Sequence, residues 1–109
     1  MAKKTAAAKS AAAKRVTVPD DFEVQIDGTP GKLVDVSLTG AQVVTAAAMK
    51  PNRLVKVLIP SGETTIACKG KVAWARLEPS KGQMLYRAGI AFTNVDKAAL
   101  EAFLNLHLA

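Results

Sequence analysis

The chain has 109 residues and a formal net charge of +6, with one cysteine and one histidine. This length suits a single domain, since domains usually have about 100–150 residues. The lone cysteine excludes an intramolecular disulfide, and the sequence holds no His/Cys cluster for a metal and no apolar run of the ~18 residues that span a bilayer. Because its first residues also lack the apolar stretch of a secretory signal, we expect a cytoplasmic protein.

Most of the positive charge lies at the start of the chain. The first 15 residues carry +5 and no acidic residue, whereas the remaining 94 carry +1. Residues 1–14, with their alanine triplets spaced by Lys and Ser, predict a flexible basic tail ahead of one domain at 15–109. The tail either becomes helical against an anionic partner or only keeps the protein in solution. The nearly neutral domain argues against a nucleic-acid footprint on its surface.

From residue 21 onward, apolar and polar residues alternate with a period of two, which is typical of half-buried strands. The pattern predicts six strands, at 21–26, 33–38, 41–45, 53–59, 64–77 and 84–92. Gly, Pro, Asp and Ser cluster between several of them and mark turns, the first at Asp27–Gly31. Short strands at such spacing indicate an antiparallel β-barrel or sandwich.

The fifth predicted strand defines the expected interior. Its alternate residues on one face are Ile66, Cys68, Gly70, Val72 and Trp74. We therefore expect Cys68 to be a buried small hydrophobe and Gly70 to mark a bulge or bend. Trp74 is expected to face inward, as is Tyr86 in the last strand, which would leave few aromatic rings to stack nucleic-acid bases.

The chain ends with a helical period. Asp96 predicts an N-cap, and Val95 before it stands at staple spacing from Leu100. The apolar stripe is formed by Leu100, Phe103, Leu104 and Leu108. We expect this stripe to cover an open end of the barrel, and His107 to interact with the helix dipole rather than act as a ligand.

The most informative motif is Asp35-Val36-Ser37-Leu38-Thr39-Gly40, a D-x-S-x-x-G sequence. Regular alternation would point Asp35 and Ser37 outward together, and Gly40 would let the backbone turn without a Cβ. A carboxylate and a hydroxyl beside such a glycine suit a flat ligand that presents N–H donors. The six residues alone favour a plainer interpretation, a strand end with two solvated polar residues and a turn glycine.

The motif is followed by Gly70–Trp74, then by Tyr86–Phe92, and then by the short terminal helix. The order of these short segments resembles the PilZ domain over residues 15–108. The resemblance implies a six-stranded β-barrel with a C-terminal α-helix, acting as a receptor for cyclic di-GMP, the bacterial second messenger. It also implies that Asp35 and Ser37 contact a guanine edge and nearby polar atoms, while Gly40 admits the ligand.

The family also has an R-x-x-x-R element before the first strand, which wraps over the nucleotide. Arg15 matches its second arginine, whereas Ala11 stands where the first would be, and Lys14 is a nearby cation without the planar fork. Guanidinium groups grip phosphates and the O6/N7 edge of guanine in pairs of hydrogen bonds. The expected ligand-binding residues are therefore Arg15, Asp35, Ser37, Gly40 and Lys14, with no metal and no further cofactor.

The leading hypothesis is a cyclic di-GMP receptor module in bacterial signalling that is read by an unidentified protein partner. The alternative is a PilZ-fold protein-interaction adaptor that does not bind the nucleotide, which Ala11 would favour. A third hypothesis, a nucleic-acid binder, rests on the basic tail, whose lysines would also make non-specific anionic contacts. An enzyme is not expected, because no pair of residues resembles a nucleophile and its base.

Overall fold

The computed structural model describes residues 15–19 and 22–107, so that Ala11, Lys14 and Leu108 lie outside the described residues. The described residues form seven strands and one helix. The strands are β1 (Val16–Thr17), β2 (Glu23–Ile26), β3 (Thr29–Val36), β4 (Gly40–Thr45), β5 (Leu54–Ser61), β6 (Thr64–Ser80) and β7 (Gln83–Val95). The helix α1 spans Lys97–His107. None of the helical structure described is long and apolar enough to cross a membrane.

Six of the strands close into an antiparallel barrel. Their order is β3-β2-β5-β6-β7-β4, and β4 pairs again with β3 to complete the circle. The predicted six-stranded barrel with a C-terminal helix is confirmed. The short β1 was not predicted, and it adds to β3 outside the ring, where Val16 pairs with Val36 and Thr17 with Asp35.

The period-two pattern places the core. Alternate residues of β2, β5 and the first part of β6 are buried, and Cys68 is fully enclosed as expected. The first turn is shorter than predicted. Asp27 and Gly28 take positive φ angles of 51° and 84°, and the strand resumes at Thr29. Two left-handed residues suffice to reverse the chain in a hairpin, so 29–31 belong to β3.

Helix α1 covers one end of the barrel. Asp96 caps it as predicted, with Oδ1 accepting a hydrogen bond from the Ala99 N–H at 3.1 Å. Leu100, Phe103 and Leu104 are buried in the core cluster. The ring of His107 lies 4.4 Å from that of Phe103, centroid to centroid, so this side chain also packs against the aromatic ring.

Extra residues interrupt two strand pairs at three points. The register between β3 and β4 shifts between Leu33 and Asp35, and that between β6 and β7 shifts at Lys69/Gly70 and again between Val72 and Trp74. The register is irregular next to Gly70 as predicted, but the added residue is Thr93 of the partner strand β7. A bulge adds one residue to one strand, so side chains beyond it change faces relative to regular alternation.

Strands β6 and β7 extend beyond the rest of the barrel. β5 pairs with β6 only as far as Lys71, and β4 pairs with β7 only from Tyr86 to Ala91. Residues 77–85 therefore form a two-stranded projection that we call the hairpin arm. Its tip is a two-residue turn in which Lys81 and Gly82 have φ angles of 49° and 84°.

The buried thiol makes stability sensitive to alkaline pH. Burial raises the pKa of Cys68 from 9.0 to about 11. The unfolded chain loses this proton first, so the free energy of unfolding should fall as pH rises from about 9 toward about 11. The Cys68→Val variant has no such proton, so its free energy of unfolding, measured by denaturant titration, should fall less steeply over this pH interval. Equal slopes for the two proteins would contradict the assignment.

Candidate functional site

An ion pair joins the first described residue to β3. Arg15 Nη1 lies 2.6 Å from Asp35 Oδ1, and the two side chains are 51% and 17% exposed. Strand β1 holds them together, because Val16 and Val18 are buried and Thr17 pairs with Asp35. Alternation then turns Arg15 outward, beside the carboxylate.

The ion pair is one end of a chain of side-chain hydrogen bonds across the barrel exterior. Gln42 Nε2 donates to Asp35 Oδ2 at 3.2 Å, and Arg87 Nη1 donates to Gln42 Oε1 at 2.9 Å. Arg87 also donates to Glu78, which accepts a further bond from Arg76. Arg87 and then Arg76 hold the pKa of the Glu78 carboxyl below its usual range.

Trp74 lies on the outside of the barrel, contrary to prediction. The register shift after Val72 adds one residue, so the indole comes out on the exterior face and is 39% exposed. It covers Gly89 of β7, where any Cβ would collide with the ring. Arg76 Cζ sits 5.3 Å from the indole centroid, a cation–π distance. An exposed ring is thus available for stacking, and the argument against base stacking that placed Trp74 inside was wrong.

These groups border a surface cleft of about 320 Å³. Its lining includes Arg15, Thr39, Gly40, Gln42, Trp74 and Gly89. The volume falls at the lower end of the roughly 300–1,000 Å³ typical of small-molecule sites. The cleft therefore combines a guanidinium group, an amide and an aromatic face around a floor of two glycines.

A larger cleft of about 620 Å³ lies between β3, β4 and the tip of the hairpin arm. It is bordered by Lys32, Val34, Lys81 and Arg87, among others. Arg87 is already engaged by Glu78 and Gln42, and Arg15, Gly40 and Trp74 do not line this cleft. The smaller cleft is the better candidate, because Arg15 and Gly40 line it and Asp35 is hydrogen-bonded to two of its lining residues, Arg15 and Gln42.

Ser37 is not outward-facing as predicted. Strand β3 ends at Val36, so its alternation stops there, and Ser37 is fully buried together with Val36. Its Oγ accepts a hydrogen bond from the Thr39 N–H at 3.2 Å and lies 3.1 Å from Thr39 Oγ1. Its backbone N–H donates to the Gly40 carbonyl at 2.8 Å. Ser37 therefore organises the turn into β4 from below the surface.

Gly40 lines the cleft, and the packing of the strands also requires a glycine at this position. It begins β4 opposite Ala91, and a Cβ at this position would collide with the carbonyl oxygen of Ile90. The predicted role, a turn without a Cβ, is replaced by close contact between two strand backbones, since Gly40 does not have a positive φ.

A family model described as "PilZ domain" matches residues 10–107. The chain belongs to the PilZ domain family. PilZ domains are binding and receptor modules rather than enzymes. Searches of curated proteins and of solved structures found no match. Among the residues that the structure describes, no three His, Cys, Asp or Glu side chains are grouped to hold a metal ion.

The PilZ signature gave part of the site. Arg15 and Asp35 are brought into contact, Gly40 lines the cleft, and Ser37 lies beneath it. Lys14 is outside the described residues. Sequence reasoning missed Gln42, Arg87 and the exterior position of Trp74. One feature of the sequence could have indicated Gln42: it lies two residues after Gly40, at a position of β4 whose side chain points outward.

The packing role of Gly40 is testable by stability alone. Gly40→Ala should lower the free energy of unfolding by about 1–3 kcal/mol, the usual cost of forcing extra atoms into a packed position. Gly82→Asn is a suitable control, because Gly82 has open space around it and a positive φ that Asn tolerates. Thermal melts without ligand give the comparison. A Gly40→Ala protein as stable as wild type would mean that the two backbones can separate freely.

Proposed function

We propose that this PilZ domain binds cyclic di-GMP in the cleft bordered by Arg15, Gln42 and Trp74, as a receptor module in bacterial signalling. The observation that carries the proposal is the contact between Arg15 and Asp35 at the edge of that cleft. The ion pair presents hydrogen-bond donors and acceptors side by side, on a surface that also offers an aromatic ring.

The ion pair retains capacity for a ligand. A guanidinium has five N–H donors and a carboxylate about four acceptor positions. In the structure Arg15 makes one hydrogen bond to Asp35, and each Asp35 oxygen accepts one, from Arg15 and Gln42. The free N–H groups suit a phosphate or the O6/N7 edge of guanine, and the free lone pairs suit the N1–H and N2–H donors of a guanine.

Trp74 supplies the apolar part of recognition. Its exposed indole borders the same cleft as Arg15, so a purine held by the arginine can lie against the ring. Stacking of a base on an aromatic side chain is worth about 1–3 kcal/mol. Gly89 supports this placement, because it leaves the indole room to lie close to β7.

In this proposal the output is a binding event. The domain carries out no chemistry and uses no cofactor, and an unidentified protein partner responds to the occupied surface in the cytoplasm. The lysines of the N-terminal segment would add non-specific contacts with anions.

A second candidate is a PilZ-fold adaptor that works without nucleotide. Two observations favour it: Ser37 is buried and bonded within its own turn, and both Asp35 oxygens already have partners. Ala11 in place of the first arginine points the same way. In that case the Arg15–Asp35 pair fixes β1 to the barrel, and the exterior face contacts protein directly.

Replacing Arg15 distinguishes the two candidates. Arg15→Ala should weaken cyclic di-GMP binding at least tenfold, because a hydrogen bond to a charged group contributes about 1.5–3 kcal/mol. Arg53→Ala is the matched control, since Arg53 is similarly exposed and paired with Asp27, yet lies outside the cleft. Isothermal calorimetry gives the affinities, and melts confirm folding. Absence of binding by the wild-type protein at millimolar ligand would favour the adaptor.

The stacking contribution of Trp74 is a separate prediction. Trp74→Ala should weaken binding of cyclic di-GMP by roughly tenfold, whereas Trp74→Phe keeps a ring and should lose much less. Calorimetry is the appropriate measurement, because both substitutions remove the only tryptophan and its fluorescence. Equal affinity of Trp74→Ala and wild type would place the bound base away from this side of the barrel.

A further inference from the structure

Among the residues that the structure describes, no strand lies beside the outer edge of β6 over residues 73–80. β5 pairs with β6 only up to Lys71, and across the described part of the chain the rest of β6 pairs with β7 alone. An open edge presents a row of backbone N–H and C=O groups that another strand can bind. We call residues 73–80 the free edge.

The free edge is apolar on one face. Directly paired residues lie on the same side of a hairpin, and here Leu77 pairs with Tyr86 and Pro79 with Met84. Leu77 is 52% exposed and Met84 53% exposed. These side chains continue the barrel's inward face past its end, so they lie in solvent where the barrel no longer covers them.

On the other face, the free edge carries one basic and one acidic residue on either side of Leu77. The side chains of Arg76 and Glu78 are 62% and 31% exposed, and Arg76 Nε lies 2.6 Å from Glu78 Oε2. If two identical edges pair antiparallel about a two-fold axis through Leu77, Arg76 of each copy stands opposite Glu78 of the other. Opposite charges directly across a strand pair stabilise it, and like charges destabilise it.

We propose that the free edge is a homodimer interface, in which two copies join β6 to β6 with Leu77 at the centre. The pairing places Leu77 against Leu77 on the apolar face and two Arg76–Glu78 pairs on the polar face. It is closed by symmetry, because the same patch serves both copies. Pro79, which has no N–H, stands opposite Ala75 and limits the ladder to this short segment. The proposal does not depend on nucleotide binding, although Trp74, at one end of the free edge, also borders the proposed nucleotide site.

The register also fixes what each protomer contributes near its neighbour's cleft. Trp74 of one copy stands opposite Ser80 of the other, next to the turn at Lys81. The tip of each hairpin arm therefore reaches the side of the second copy where Trp74 lies.

The first test is the oligomeric state of the full chain. Sedimentation velocity over a concentration series should show a dimer that dissociates on dilution. Leu77→Lys should shift the protein to monomer, because it places two cations together at the centre of the pairing. Leu106→Lys is the control: Leu106 is 75% exposed on α1, which is not part of the free edge, and this variant should dimerise like wild type.

The second test uses the charges. Arg76→Glu and Glu78→Arg should each weaken dimerisation roughly tenfold or more, since each gives two like-charged pairs. When the two variants are mixed, every Glu meets an Arg of the other chain, so heterodimers should form. Size-exclusion chromatography with light scattering, on chains of different tag mass, separates these species, and circular dichroism confirms that each variant is folded.

Three results would overturn the proposal. They are a wild-type protein that stays monomeric up to millimolar concentration, a dimer that survives Leu77→Lys, and a mixture of the two charge variants that shows no heterodimer. A monomeric wild-type chain would mean that the free edge serves a different partner or none.

Discussion

Closure of six strands into a barrel with extra residues at a few points is the constraint on which the rest depends. Strands must coil to close, and bulges supply part of that coiling. The bulge in β3 lets Asp35 face outward, next to Arg15, only two residues after the buried Leu33. The strand then ends at Val36, and Ser37 turns into the interior. The bulge in β6 brings Trp74 to the outside. The candidate cleft exists where the consequences of these two irregularities meet.

The strands, the helix and most of the core could be predicted from the sequence because they follow from periodicity. The face of Trp74 could not, because Trp74 lies just after an added residue. The face of Ser37 could not, because β3 ends at Val36 and Ser37 already belongs to the turn. Val34 and Ala73 look like ordinary members of their strands. Nothing in their chemistry marks them as bulged, since a bulge is set by the register that the neighbouring strand imposes.

The contacts of the polar network also could not be predicted from strand periodicity. Arg15 and Asp35 are 20 residues apart, and Gln42 and Arg87 are 45 apart. Their contacts depend on which strands are neighbours and in what register. A family motif can identify Arg15 and Asp35, because their spacing recurs as a unit. Gln42 and Arg87 carry no such motif, and only the closed sheet brings them together.

The side chains of α1 fill the open end of the barrel, so its interior is occupied by protein. Packed interiors deform little, and a small molecule held on the outer wall would leave the shape beneath it nearly unchanged. In the proposed receptor, a responding protein would therefore have to contact the bound molecule and the barrel wall together. Neither the free molecule nor the empty barrel would present that combined surface.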